Sequence, residues 1–296
     1  MTMRITVPVR LGPFACGNFS APDIAIDLGT AWLRACSTAT AGVVEMPSWI
    51  DEPDGTRIFP MRGGVIVDRD AATRLLTIML RRLRTWHGRP PNVLATVPTD
   101  VSPDEKDILV ESLVDAGAGT VAIVPEPVAA AVAVSLHDAD GVRMLIDIGE
   151  GVTDVALLDR GSLAYRASIR LGCAEMRDGV IAAAAHDGKF ITRSEADTLL
   201  GDEAWAPAAS AAKDTIAAFA KHAYGGLERS TRARLSFHAV CITGGGSLAC
   251  GVASSVAEQL DVPVFRPHHP LRTVIDGARR LLDGDAHHVW AGFPSS

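Results

Sequence analysis

Residues 144–157 read MLIDIGEGVTDVAL, which sets an aspartate and two glycines in a tight turn between two apolar strands. Gly149 and Gly151 let the backbone reverse sharply and bring bare N–H groups close to a phosphate. Asp147, at the end of the first strand, can hold a hydrated magnesium ion through water. A second copy of the design lies near the N-terminus, where residues 23–34, DIAIDLGTAWLR, again read apolar strand, Asp27, Gly29, Thr30 and more strand. Such repetition is expected of two related halves. A third cluster, Gly244, Gly245, Gly246 and Ser247, follows a short strand at 239–242 and precedes a helical stretch at 248–259. Its backbone can approach a sugar or base with no side chain in the way.

These turns need strands and helices to hold them, and the hydrophobic pattern supplies both. A first lobe is expected over 23–141. It opens with the hairpin of Asp27, continues through a strand-like run at 43–50, and enters a helix over 71–86. In that helix Leu75, Leu76, Met79, Leu80 and Leu83 recur at helical spacing, while Arg74, Arg81, Arg82 and Arg84 fall mostly on the other, solvated face. A strand follows at 93–97, then a helix announced by Ser102-Pro103-Asp104-Glu105, with proline at its first position and acids in its first turn. A second lobe is expected over 142–284. It carries the second hairpin, a strand at 163–169, helices at 175–185 and 208–224, and a short helical segment at 194–197. Residues 1–22 read as a flexible N-terminal arm and 285–296 as a frayed or strap-like tail.

Composition narrows the function classes. The 296 residues suffice for two domains, and 48% hydrophobic content suits a well-filled core. A net charge of -7 with only four lysines offers no electrostatic footprint for nucleic acid. The five cysteines show no C-x-x-C pairing and read as small core residues in a reducing compartment. The pairs His268-His269 and His287-His288 are adjacent in sequence and so point to opposite sides of an extended chain, a poor geometry for one metal. The most apolar run, 121–136, is interrupted by Pro125, Glu126 and Pro127, and no stretch reaches the length of a membrane span. The first 22 residues fit neither a signal peptide nor an anchor helix, so a cytoplasmic location is expected.

With two strand-turn-strand motifs, a connecting helix and a late GGG turn in this order, the chain resembles the actin-like ATPase superfamily, and within it the bacterial MreB type. The segment PMRGGVIVD at 60–68 is close to that family's PMRDGVIAD, and ATVPTDVSPDEKD at 95–107 to its VGVPSGVTxVER. VPEPVAAA at 124–131 resembles IEEPMAAAIG, RLGCAEM at 170–176 resembles RVAGDEM, and residues 270–277 resemble DPLTAVAxG. The likeness runs from about Asp23 to Leu282. It implies an α/β, actin-like fold, a duplicated ribonuclease H-like two-lobe arrangement with mixed five-stranded-type sheets flanked by helices. The outer subdomains are reduced, because the stretch between Gly55 and Pro60 and the stretch 201–212 are short.

The resemblance also implies roles. Asp27 and Asp147 would hold hydrated Mg2+, and Glu126, at the start of the connecting helix, would orient or deprotonate the attacking water. Gly29, Thr30, Ala31, Gly149, Gly151 and Thr153 would line the phosphates of ATP, Glu195 the ribose, and Gly244, Gly245, Gly246 and Ser247 the adenosine. Four residues depart from the family pattern. Glu150 replaces a glycine and would place a carboxylate near the phosphates, Val152 replaces a threonine, Trp32 an asparagine, and Asp197 stands where a lysine would pair with the nucleotide. Trp86, beside Arg81, Arg82 and Arg84, falls near where MreB proteins insert apolar side chains into the membrane. It reads either as such a peripheral contact or as a packed tryptophan. The family implies an ATP-binding cytoskeletal protein of cell shape and wall-synthesis organisation that self-associates or co-assembles with full-length MreB or other cell-shape and wall-synthesis proteins. The departures point instead to a non-polymerising pseudo-ATPase scaffold or regulatory protein, and whether ATP is hydrolysed stays open. A small-molecule kinase shares the core, but no sugar-binding insertion is identifiable.

Overall fold

A computed structural model describes residues 23–39, 42–83, 89–136, 142–159, 162–226, 229–230 and 235–283. The N-terminal arm, Trp86, His287-His288 and the C-terminal tail lie outside the described residues. Among the described residues the chain forms two compact units, one of 23–135 with 274–283 and one of 136–273.

In the first unit, strands β1 (Ile24–Leu28), β2 (Trp32–Ser37) and β3 (Val44–Pro47) form an antiparallel meander. Two short hairpins follow, β4 (Ile50–Asp51) with β5 (Arg57–Ile58) and β6 (Met61–Arg62) with β7 (Val65–Ile66), where the resemblance led us to expect a reduced outer subdomain. Helix α1 (Arg69–Leu83) then leads to β8 (Asn92–Val97), and helix α2 (Pro103–Asp115) to β9 (Thr120–Pro125). β8 lies parallel to β1, and β9 parallel to β8, so the sheet order is β3-β2-β1-β8-β9. Parallel neighbours need a crossover, and each here contains a helix. Helix α1 buries Leu75, Leu76, Met79, Leu80 and Leu83, the stripe its spacing requires. Helix α2 starts where its cap signals place it. Ser102 Oγ accepts from Glu105 N at 3.3 Å, and Glu105 accepts from Ser102 N at 2.8 Å, satisfying two orphan donors reciprocally. Helix α3 (Glu126–Ala133) follows β9 directly.

The second unit repeats the plan. Strands β10 (Val142–Ile148), β11 (Thr153–Asp159) and β12 (Ser162–Ile169) are antiparallel, and β13 (Leu235–Thr243) and β14 (Val264–Phe265) add in parallel, in the order β12-β11-β10-β13-β14. Between β12 and β13 lie α4 (Cys173–His186), α5 (Arg193–Leu199), a 3-10 helix over Glu203–Ala209 and α6 (Ser210–Gly225). A 3-10 turn at Gly245–Leu248 and helix α7 (Val252–Leu260) stand where one continuous helix over 248–259 was expected. The break falls at Gly251, whose φ of 80° lies in the left-handed region. The core of this unit centres on Met144, Ile146, Val155, Leu157, Met176, Ile216 and Ile242, all fully buried.

Helix α8 (Thr273–Leu282) was expected in the second lobe, but from 274 onward it groups with the first unit. It packs on α3 so closely that a Cβ at Gly277 would stand 1.7 Å from the Ala129 carbonyl oxygen. Arg280 donates to Val132 O at 3.0 Å and to Ser135 Oγ at 3.2 Å. A guanidinium there sits at the negative end of the α3 dipole and shares the Val132 carbonyl with Ser135 N–H. Gly277→Ala gains a little helix propensity, at most ~1 kcal/mol, yet the overlap with Ala129 forces the helices apart. The variant is expected to lose about 3 kcal/mol of stability, read as a lowered Tm in thermal unfolding; an unchanged Tm would show that the two helices are not packed in this way.

Candidate functional site

Parallel pairing sets the geometry in each unit. In the first, β1, β8 and β9 run in the same direction, so their C-terminal ends share one edge of the sheet, where ligands of open α/β sheets bind. Asp27 stands in register with Thr96 on β8 and with Arg34 on β2. Its carboxylate accepts from Thr96 Oγ1 at 3.1 Å and lies 4.0 Å from the Arg34 guanidinium, which is itself bonded to Glu45 at 3.1 Å. Burial raises the Asp27 pKa against the opposing pull of Arg34 and Thr96. Glu126 begins α3 immediately beyond the end of β9 and is half-buried, with a favourable place at a helix N-terminus.

The first glycine turn is closed by its own backbone, with Gly29 N donating to Trp32 O at 3.1 Å. Ser48 fastens it from outside, its N–H donating to Ala31 O at 3.0 Å and its hydroxyl to Gly29 O at 2.7 Å. Thr30 Oγ1 accepts from Gly64 N at 2.8 Å. Gly63 and Gly64 have φ of 55° and 78°, so the PMRGGVIVD segment forms a tight hairpin whose tip braces the turn. Trp32 is 43% exposed at the start of β2.

In the second unit β10 and β13 are the parallel pair, and Asp147 stands in register with Thr243. The turns after these strands therefore emerge side by side. Gly244, with φ of 81°, lies against Asp147, and a Cβ there would sit 2.4 Å from Asp147 Oδ1 and 2.3 Å from Ile148 O. A Cβ at Gly246 would sit 2.2 Å from Ile148 Cγ2. Close approach to the Asp147 turn thus dictates two of the three glycines, while Gly245 meets only Leu271 at 3.5 Å. Ser247 is buried and its hydroxyl donates to Gly244 O at 2.7 Å, holding the turn. Thr153 likewise commits its hydroxyl, to Leu171 O at 2.8 Å.

The Gly149 turn is welded to the start of α4. Gly149 N donates to Val152 O at 2.8 Å, Cys173 N to Gly149 O at 2.9 Å, and Ala174 N to Glu150 O at 2.8 Å. Gly172 must be glycine for this contact, since a Cβ would stand 2.5 Å from Gly149 O. Val152 is buried in the core. Glu150, expected to place a carboxylate near the phosphates, is gripped by Arg177 through two bonds of 2.6 and 2.8 Å. Arg177 also donates through Nε to Asp197 at 2.6 Å, and Arg193 approaches Glu150 at 3.5 Å. Two of the four departures therefore meet on one buried arginine that sequence reasoning did not single out. The bonds to Glu150 raise the Arg177 pKa, so the guanidinium stays charged. Glu195 caps its own helix, accepting from Thr192 N at 2.7 Å and Thr192 Oγ1 at 2.8 Å, which lowers its pKa.

Other chemistry is limited. Cys36, Cys173 and Cys241 are buried, and burial pushes their thiols up to about 11, 12 and 12. Even at the start of α4, where a thiolate is normally favoured, desolvation and the neighbouring Glu150 prevail at Cys173. Among the described residues no group of three or more His, Cys, Asp or Glu is placed to hold a metal. Among them, too, no helix is long and apolar enough to cross a membrane.

Known proteins share this arrangement. Solved structures with the same fold include MreB5 of Spiroplasma citri bound to AMPPNP, with a TM-score of 0.81 at 19% identity over 93% of this chain and 99% of that one. The MamK double helical filament aligns with a TM-score of 0.74 at 16% identity over 88% and 98%. Two sheets of one topology, each with an aspartate and a glycine turn at its central strand, give this chain an actin-like fold. Residues 52–191 match the family described as MreB/Mbl protein. The cell shape-determining protein MreB of Haemophilus influenzae is 34% identical over 127 residues, 42% of this chain and 36% of that protein. The cell shape-determining protein Mbl of Bacillus cereus is 25% identical over 323 aligned residues, 89% of this chain and 96% of its own. These matches indicate an MreB-type relationship on an actin-like fold, with the family match confined to residues 52–191. At the higher identity the match spans only about a third of the relative's length, 36%.

The raised pKa of Asp27 has a definite sign. The native chain binds this proton more tightly than the unfolded chain, so its contribution to stability is full below the unfolded pKa and is lost as pH rises through the folded one. Asp27→Asn is therefore expected to raise Tm at pH 7 in the absence of nucleotide and metal, with the gain vanishing as the pH approaches 4. A gain independent of pH would contradict a desolvated carboxylate at this position.

Proposed function

We propose that the chain is an MreB-like cytoskeletal protein of cell shape that binds ATP with Mg2+. One observation carries the reading. The same strand-ending aspartate and glycine turn recur at equivalent places in two sheets of the same topology, and in the second a glycine with positive φ lets the neighbouring turn pack directly against the aspartate. MreB5 of Spiroplasma citri has been solved with AMPPNP and with ADP, which supports the nucleotide class.

The donor set suits magnesium better than zinc or calcium. Mg2+ keeps several waters and is commonly held through one or two carboxylates together with substrate phosphates, so no protein cage is required. Asp147 and Asp27 would supply those carboxylates, with Arg34 a competing cation beside Asp27. Bound ATP·Mg2+ supplies the γ-phosphate and its charge neutralisation. Glu126 would accept a proton from, or orient, the attacking water. Gly29, Thr30, Ala31, Gly149, Gly151 and Thr153 would line the phosphates, Glu195 the ribose, and the 244–247 turn the adenosine. Thr153 and Ser247 would do so through backbone N–H groups, since their hydroxyls are committed within the fold.

Self-association is supported by the MamK neighbour, which is a double helical filament. Co-assembly with full-length MreB, a part in organising wall synthesis, a cytoplasmic site of action and a membrane contact near Trp86 are further elements of the proposal. A second reading, a pseudo-ATPase scaffold or regulatory protein, is favoured by the acids at 150 and 197. Calorimetric titration with ATP and Mg2+ separates the two. Binding in the wild type that Asp147→Ala abolishes supports the nucleotide reading, and no binding in the wild type supports the scaffold. If hydrolysis occurs, Glu126→Gln should retain binding and slow turnover roughly a hundredfold, measured by phosphate release.

A further inference from the structure

Glu150 lies within the Gly149–Val152 turn, whose ends are fixed by Gly149 N to Val152 O and by two bonds into the start of α4. With its backbone fixed, the only freedom left to the carboxylate is its side-chain torsions. Arg177 takes that freedom away. It projects from the second turn of α4, its side chain is 6% exposed, and its planar fork meets both Glu150 oxygens at 2.6 and 2.8 Å. Its remaining Nε–H goes to Asp197 at 2.6 Å, and this third bond fixes the plane of the fork. Arg193 adds a second cation at 3.5 Å, so the cluster of Glu150, Asp197, Arg177 and Arg193 is neutral.

We propose that Arg177 is a positioning residue for the second phosphate turn, holding the Glu150 carboxylate neutralised and turned aside so that the turn accepts the polyphosphate of a nucleotide. The inference rests on the nucleotide-binding reading and deepens it. An unpaired carboxylate in this turn would repel the phosphates in a poorly solvated place, and a pair with two parallel N–H···O bonds removes that charge without adding a ligand group to the site. Lysine is a poor substitute, because a point charge cannot hold both oxygens and Asp197 in one plane.

The test is ATP·Mg2+ affinity, by calorimetry, of the full chain, Arg177→Met and the double variant Arg177→Met/Glu150→Gln, with Tm recorded for each. Arg177→Met is expected to weaken binding about tenfold or more, ~1.4 kcal/mol. The double variant is expected to recover affinity to within about threefold of the wild type, even if its Tm stays low. A purely structural arginine would leave the double variant as weak as the single, and that result overturns the proposal, as does unchanged affinity in Arg177→Met. Should Arg177→Met fail to fold, Arg177→Lys with and without Glu150→Gln is judged by the same loss and recovery. If none of these proteins, wild type included, binds ATP, the nucleotide reading falls and this inference falls with it. If the wild type binds and only the rescue fails, the nucleotide reading stands alone.

Discussion

Parallel pairing of the aspartate-bearing strand with a strand reached through a crossover is the constraint on which the rest depends. Because β1 and β8 run in one direction, Asp27 meets Thr96. Because β10 and β13 run in one direction, Asp147 meets the Gly244 turn. An antiparallel partner would carry its C-terminal end to the opposite edge, and the turn after it could not join the hairpin's own glycine turn beside the aspartate. The hairpin alone supplies one turn; the crossover supplies the second wall.

Glycine serves this site mostly as absence of volume. Gly172, Gly244 and Gly246 sit where a single carbon would strike a carbonyl, a carboxylate or an isoleucine methyl. Their fixed neighbours leave the turns little slack, and the committed hydroxyls of Thr153, Ser247 and Ser48 tighten them further. What the turns present outward is then largely backbone, as anion recognition by N–H groups requires.

Much of this was legible in the sequence because it is local. The glycine turns, the amphipathic stripe of α1 and the cap at Ser102 each lie within a few residues, and periodicity or turn chemistry reveals them. The actin-like fold was expected because the order and wording of these pieces resemble a known family. Three things escaped this reading, two of them because they are not local. The short segment over 193–199 carries Asp197, and only the folded chain shows that it shares Arg177 with Glu150, the three being 20 and 27 residues apart. Helix α8 has a clear apolar face, but a face does not say which lobe will cover it, and Gly277 against Ala129 decides that. The break before α7 is set by the left-handed Gly251, which hydrophobic spacing passes over.

The Glu150–Arg177–Asp197 cluster also bears on how such a chain can change over time. Removing one member of a buried, hydrogen-bonded charge pair costs about 3–5 kcal/mol, a large share of a domain's ~5–15 kcal/mol margin. Glycine at 150 alone leaves Arg177 with only half-exposed Asp197, and replacing Arg177 alone leaves Glu150 with only the exposed Arg193 at 3.5 Å. The three residues form an entrenched unit, and a lineage that has acquired them leaves the arrangement only through concerted substitution.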